Sequence, residues 1–100
     1  MKHWFFRLIP PRPTFPGYIT PAEAALMREH SVYWSGLIAQ GLVHAVGPVF
    51  DPKGAFGMAV ASLPDEADPQ AVGAADPVVK AGVGFRVEVL PMPSLLLPQK

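Results

Sequence analysis

His30 is the side chain of this sequence best suited to chemistry. It lies within residues 20–49, on a run of apolar residues with helical spacing where a purely structural helix would carry an aliphatic side chain. Because an imidazole titrates near neutral pH, it can take up and return a proton within one catalytic cycle. Tyr33 and Trp34 accompany it and would line a pocket for a planar or ring-shaped substrate. The alternative is a histidine that bonds a backbone carbonyl or simply packs at the helix surface.

Arg7 is a second candidate, on a strand predicted over residues 3–9. Arg86 and Glu88 share one face of a second predicted strand, and Arg7 joins that face if the two strands are neighbours. An arginine inside a barrel would hold a carboxylate or enolate oxygen of a substrate through paired donors. The alternative is an Arg–Glu ion pair within the sheet or across a dimer.

The sequence has no motif for metal, nucleotide or serine-nucleophile chemistry. We expect His3 and His44 to be solvent-facing or at a sheet edge, and together with His30 they lack the spacing of metal ligands. The glycine-rich phosphate loops and the nucleophile elbow of serine hydrolases are also missing. The sequence therefore predicts neither a metal nor a cofactor.

The composition is strongly apolar for a chain of one domain. Of 100 residues, 50% are hydrophobic and 16% are charged, so apolar surface must stay exposed or be covered by a partner, and we expect a homodimer. The net charge is zero without a basic run, which argues against nucleic acid, and no apolar stretch is long enough for a membrane span. The lack of cysteine is compatible with a cytoplasmic location.

The element that must position His30 is a helix of about 20 residues with clear end signals. Thr20, Pro21 and Glu23 form a capping box with proline at the first helical position, and Gly41 marks the end. The predicted buried side of this helix, flanked by Trp34, consists of Leu26, His30, Tyr33 and Leu37.

The remaining segments complete a β-α-β-β-α-β order. We predict a hairpin of strands over 42–49 and 55–63, a weak helix over 64–75, a helical turn over 78–82, and a strand over 84–90 that ends at Pro91. Residues 10–19 are predicted as a stiff, extended proline-rich loop over a pocket. Residues 1–92 would form the domain, and residues 93–100 a Pro/Leu-rich tail that is disordered or docked on a partner subunit.

This order predicts an α+β, ferredoxin-like sandwich with a four-stranded antiparallel sheet. Both helices would cover one face of the sheet. The other face carries apolar residues, and two copies that meet through it would form a dimeric α/β barrel.

Several motifs resemble the YciI-like (YCII-related) family. They are His30 in the helix, GLVHAVGPV at 41–49, DPKGAFG at 51–57 and ADPVVKAGVGFRVEVLPM at 75–92. The family is similar in fold to other dimeric α/β barrels, such as muconolactone isomerases and cofactor-independent monooxygenases, and most of its members have no assigned reaction. The resemblance implies a pocket between sheet and helices with a histidine–aspartate pair as acid and base.

Carried over residue by residue, this pair is His30 and Asp76. Some members also have an acid nine residues after the histidine, but this sequence has Ala39 there, so the pairing falls to Asp76 or another acid. An aspartate before proline at a helix end is also ordinary capping chemistry.

Two hypotheses follow from these residues. The first is a cofactor-free enzyme that uses His30 for proton transfer, in an isomerisation or elimination, on a small organic acid or lactone, with Asp76 orienting the imidazole. The second is a non-catalytic module that binds a small ligand or another protein through the proline-rich loop and the apolar tail.

Overall fold

A computed structural model describes residues 1–98 of the chain. The elements are β1 (Lys2–Ile9), α1 (Pro21–Ala39), β2 (Val43–Val49), β3 (Phe56–Leu63), α2 (Pro69–Ala74), α3 (Pro77–Lys80) and β4 (Arg86–Met92). The four strands form one antiparallel sheet in the order β2-β3-β1-β4. The helices pack on one of its faces, so the fold is the predicted ferredoxin-like α+β arrangement. The last two residues of the predicted tail lie outside the described part.

Helix α1 begins and ends as its sequence predicts. The Thr20 hydroxyl accepts from the Glu23 backbone N–H at 3.1 Å, and the Glu23 carboxylate accepts from the Thr20 backbone N–H at 2.9 Å. At the other end Gly41 takes φ +79°, which lets the Leu42 N–H reach the Leu37 carbonyl in a Schellman motif. These two caps fix which residues of α1 face the sheet.

The centre of the buried side of α1 is Trp34. It is 3% exposed and meets the ring of Phe6 from β1 edge-on, with centroids 5.4 Å apart. The sequence pattern predicted instead that His30 and its apolar neighbours would be buried, with Trp34 on their flank. Those residues are only partly buried, because the largest ring of the helix occupies the space above the sheet. The main core cluster is Phe6, Trp34, Val43, Ala59, Ala61 and Leu63.

The second helical region differs from its prediction. Residues 64–68 are not helical, and α2 starts only at Pro69, after Asp68 has capped the Gln70 N–H at 3.0 Å. Proline lacks the N–H that a helix interior requires and fits at the first helical position, so an earlier start is excluded. The predicted turn over 78–82 is helix α3, which begins at Pro77.

Strand β4 continues past the proline that was predicted to end it. Pro91 pairs with Trp4 of β1, and Met92 pairs with His3. The prediction was wrong because β4 is an edge strand, and a proline on an edge strand removes no hydrogen bond from the ladder when its nitrogen faces outward.

The proline-rich segment, residues 10–19, is not extended. It folds into consecutive turns, closed by bonds from the N–H groups of Phe15, Gly17 and Ile19 to the carbonyls three residues earlier. Arg12 fixes these turns to α1 through two 2.8 Å bonds to the Glu23 carboxylate. No local pattern in the sequence predicts this contact between Arg12 and Glu23, which holds the segment against the helix.

The sheet face without helices is apolar and incompletely covered within one chain. Cross-strand pairing places side chains of β1, β3 and β4 on it, and except for the buried Ser62 they are partly or fully exposed. The large apolar ones are Phe5, Ile9, Met58, Val60 and Leu90.

Candidate functional site

Asp76 is the buried centre of the candidate site. It has no exposed surface and precedes α3 as its N-cap, where its Oδ1 accepts from the Val78 N–H at 3.0 Å. Pro77 sets the start of this four-residue helix and so fixes the direction of the aspartate side chain. The capping interpretation of Asp76 therefore holds for one carboxylate oxygen and leaves the other free.

The second oxygen of Asp76 receives two side chains from α1. His30 Nδ1 lies 2.6 Å from Oδ2, and Trp34 Nε1 donates to the same oxygen at 2.7 Å. His30 and Trp34 are four residues apart, so they lie one above the other on one side of the helix. The structure thus brings together the two residues that the family resemblance had paired.

This arrangement fixes the tautomer of His30. An ionised carboxylate can only accept hydrogen bonds, so Nδ1 carries the hydrogen that lies between the imidazole and Asp76. In the neutral ring Nε2 then holds a lone pair and can accept a proton. The hydrogen bond to Asp76 also holds the ring in one orientation.

His30 also borders a cavity of about 510 Å³ on the helix side of the sheet. The cavity lies between α1, the strands β1, β2 and β3, and the turns of residues 10–19. Gly57 and Ala59 line it on the sheet side, where their small side chains leave room. Aromatic residues make up much of the remaining wall, namely Phe6, Phe15, Trp34, Phe50 and Phe85.

The cavity wall has little polarity. Among residues 1–98, His30 and Ser31 are the polar side chains that line it, and none of its lining residues is charged. Asp76 does not reach the cavity itself and acts on it only through His30. The site can therefore present one proton acceptor to a ligand held among apolar walls.

Tyr33 faces away from this cavity, towards α2. Its hydroxyl donates to the Val72 carbonyl at 2.6 Å, and its ring meets Trp34 edge-on at 5.4 Å. Burial raises the pKa of the Tyr33 hydroxyl, and the negative charge of Asp76 adds to the effect. Of the two aromatic residues predicted to line the pocket, the structure brings Trp34 to it and uses Tyr33 to support Trp34.

Arg7 is not brought to His30. It pairs with Met58 and Glu88 on the helix-free face, and its guanidinium carbon lies 4.5 Å from the ring centroid of Phe56. Its Nε is buried without a hydrogen-bond partner. The ion pair on this face joins Arg86 to Glu88 at 3.3 Å, as the alternative interpretation of the strand charges expected.

One polar cluster was not foreseen. The prediction that His3 and His44 face solvent or an edge is corrected for His3, which lies on the central strand β1, whereas His44 lies on the edge strand β2 as that prediction allowed. Both rings are half-buried, and each places a nitrogen 2.7 Å from the hydroxyl of Ser62. Strand alternation could have placed His3 on the helix-free face. The meeting with Ser62 depends on strand register and on the irregular pairing between Val43 and Ala45, which no local signal in the sequence reveals.

Within residues 1–98, no three His, Asp or Glu side chains are grouped as metal ligands. None of the described helices is long and apolar enough to cross a lipid bilayer.

The structure is thus a ferredoxin-like α+β sandwich in which a hydrogen-bonded histidine–aspartate pair borders an apolar cavity. Comparison with protein families gives a specific assignment. The model of the YCII-related domain matches residues 4–93, so the chain belongs to that family. A comparison with curated proteins gave no match.

Proposed function

We propose that this protein is a cofactor-free enzyme that transfers a proton on a small organic acid or lactone, with His30 as general acid and base and Asp76 as the residue that orients it. The observation that carries the proposal is the 2.6 Å contact between His30 Nδ1 and Asp76 Oδ2 next to the cavity. It leaves Nε2 as the nitrogen able to act on a ligand.

The proposed reaction starts at a carbon next to a carbonyl group of the ligand. Nε2 of His30 takes a proton from that carbon, and the C–H electron pair moves towards the carbonyl to give an enolate. Return of the proton to a different carbon completes an isomerisation. Loss of a leaving group with its electron pair from the adjacent carbon completes an elimination, and the proton then passes from His30 to the leaving group or to water.

The test is hydrogen–deuterium exchange into a panel of small lactones and acids in D2O, followed by NMR. His30→Gln keeps the size of the side chain and removes its base, so we expect exchange at the activated carbon to fall by about 10²- to 10⁴-fold. His44→Gln, on the opposite face of the sheet, is the matched control and should exchange at the wild-type rate. Equal exchange by wild type and His30→Gln excludes His30 from the reaction.

A second candidate function is binding without turnover, by a small-ligand or protein-interaction module. It is favoured by the apolar rim of the cavity, where Phe50 is 78% exposed. In that case a ligand binds to wild type and to His30→Gln with similar affinity, and neither protein exchanges the ligand's hydrogens. The same NMR experiment therefore separates the two functions.

We further propose that two copies associate through the helix-free face, as the composition predicts. The partly exposed Phe5, Met58 and Val60 support this, because such a continuous apolar surface is normally covered. Val60→Lys should give a monomer in analytical ultracentrifugation. Val32→Lys changes an exposed valine on α1 and should leave the assembly intact. A wild-type monomer at high concentration contradicts the proposal.

A further inference from the structure

The wall of the cavity restricts what charge a ligand can carry. Its described lining residues are uncharged, and most of them are apolar or aromatic. A volume of about 510 Å³ is typical of small-molecule sites and admits a fused two-ring compound. A carboxylate placed there would lose its hydration without gaining an oppositely charged partner from this wall.

The arginines on elements that border the cavity are not among its lining residues, and Arg28 of α1 lines a separate pocket. Arg7 lies over the Phe56 ring on the other face of the sheet. Arg12 donates twice to the Glu23 carboxylate and once to the Tyr18 carbonyl. The charge behind His30 is the carboxylate of Asp76, and an acidic ligand would be repelled by it as well as by the Nε2 lone pair.

The polar groups that remain suit a neutral molecule. Nε2 of His30 can accept from an acidic C–H or O–H, and the Ser31 hydroxyl, on the next residue of α1, can donate to a carbonyl oxygen. Trp34 Nε1 is unavailable because it is bonded to Asp76. Both free groups lie at the α1 side of the cavity, so a ligand would carry its oxygen atoms at one end and an apolar ring at the other.

We infer that the cavity selects an uncharged, ring-shaped carbonyl compound, and that within the proposed function, on which this inference rests, the substrate is the lactone and not the free acid. Of the substrates that the sequence suggested, this removes the class that would need a cationic residue in the pocket. The selection is made by the charge of the wall, independently of whether turnover follows.

Three compounds of one skeleton test this. 2-Coumaranone is a neutral aromatic lactone, 2-hydroxyphenylacetate is the same skeleton opened to an anion, and 2,3-dihydrobenzofuran has the ring without the carbonyl. By NMR titration near neutral pH, we expect the lactone to bind about tenfold or more tightly than the anion, with dihydrobenzofuran weaker than the lactone. An anion that binds as tightly as the lactone overturns the inference.

A charge-introducing pair of variants sharpens the experiment. Ser31→Lys puts a cation at the cavity, while Ser35→Lys makes the same change on an exposed residue of α1 that does not line the cavity. Ser31→Lys should gain about fivefold or more in affinity for 2-hydroxyphenylacetate, and Ser35→Lys should match wild type. An equal response from the two variants, with or without a gain, also overturns the inference.

The outcomes separate this inference from the proposed function. If 2-coumaranone binds but its activated hydrogens do not exchange, the charge selection stands and the enzymatic proposal fails for this ligand. If exchange depends on His30 but proceeds better with the anion, the enzymatic proposal stands and the charge selection fails.

Discussion

Trp34 and His30 donate to the same oxygen of one buried carboxylate, at 2.7 and 2.6 Å. Since Asp76 has no exposed surface, these two donors and the Val78 N–H replace the water that an ionised carboxylate would otherwise hold. The indole therefore supports the proposed acid–base site through Asp76, and its N–H is not free to bond a ligand. It satisfies Asp76 and, through its ring, also forms part of the cavity wall.

Trp34→Phe should weaken this cluster while keeping an aromatic ring against Phe6. The loss of one hydrogen bond to a buried charge is expected to lower the free energy of unfolding by about 1.5–3 kcal/mol, with some added cost from the smaller ring. Urea denaturation followed by circular dichroism measures it. Tyr33→Phe removes a bond to a neutral carbonyl and should cost less, about 0.5–1.5 kcal/mol. A Trp34→Phe protein as stable as wild type would show that the hydrogen bond from Trp34 does not stabilise the buried carboxylate of Asp76.

Substitutions of Asp76 should separate its two tasks. Asp76→Asn retains an oxygen that can cap the Val78 N–H, whereas Asp76→Ala removes the cap and also leaves the donors of His30 and Trp34 unpaired. We expect the alanine variant to lose about 3 kcal/mol or more of unfolding free energy and the asparagine variant less. Both should lose the proton exchange that depends on an oriented His30. Asparagine at full exchange activity would show that the negative charge is dispensable.

Acid should weaken the attachment of residues 10–19 to α1 through Glu23. The hydrogen bond from Arg12 is the main cause that lowers the pKa of Glu23 from 4.5 to about 2, and the Thr20 backbone bond adds to it. A lowered pKa in the folded state means that the stabilisation is complete above pH 4.5 and is lost as the pH falls towards 2. Thermal unfolding across this interval should show wild type losing more stability than Glu23→Gln. Parallel curves for the two proteins would rule out the linkage.

The serine shared by two histidines should have a directional bonding pattern. A hydroxyl has one hydrogen, so when both rings are neutral Ser62 donates to one imidazole and accepts from the other, and His3 and His44 adopt opposite roles. Long-range nitrogen–proton NMR spectra can read the two tautomers. Ser62→Ala should cost about 1–2 kcal/mol of unfolding free energy, against less than about 0.5 kcal/mol for the exposed Ser35→Ala. Identical roles for the two rings at neutral pH would disprove this pattern.

The sequence predicted those parts of the fold that depend on local signals. Thr20, Glu23 and Gly41 marked the limits of α1, because capping and positive φ are properties of a few adjacent residues. The pairing of His30 with Asp76 came from the family resemblance and not from their spacing in the chain. The position of His30 on α1 was thus predictable from local signals. Its pairing with Asp76 was predictable only from the resemblance to the family.

Features set by tertiary contacts were missed. Pro91 can lie in a strand because β4 is at the edge of the sheet. Residues 10–19 are held as turns against α1 by the hydrogen bonds between Arg12 and Glu23. Neither contact is encoded in a local pattern. The domain limits at residues 1–92, the homodimer, the cytoplasmic location, and the roles of the site residues stay predictions.

The proposed acid–base pair and the turns that enclose the cavity come from different stretches of the chain. His30 lies on α1 and Asp76 caps α3, whereas Phe15, Pro16 and Ile19 line the cavity from the turns that Arg12 holds to α1. Mutational libraries confined to those turns would alter the shape of the cavity and leave His30 and Asp76 untouched, which makes this segment the natural starting point for changing which compounds the cavity accepts.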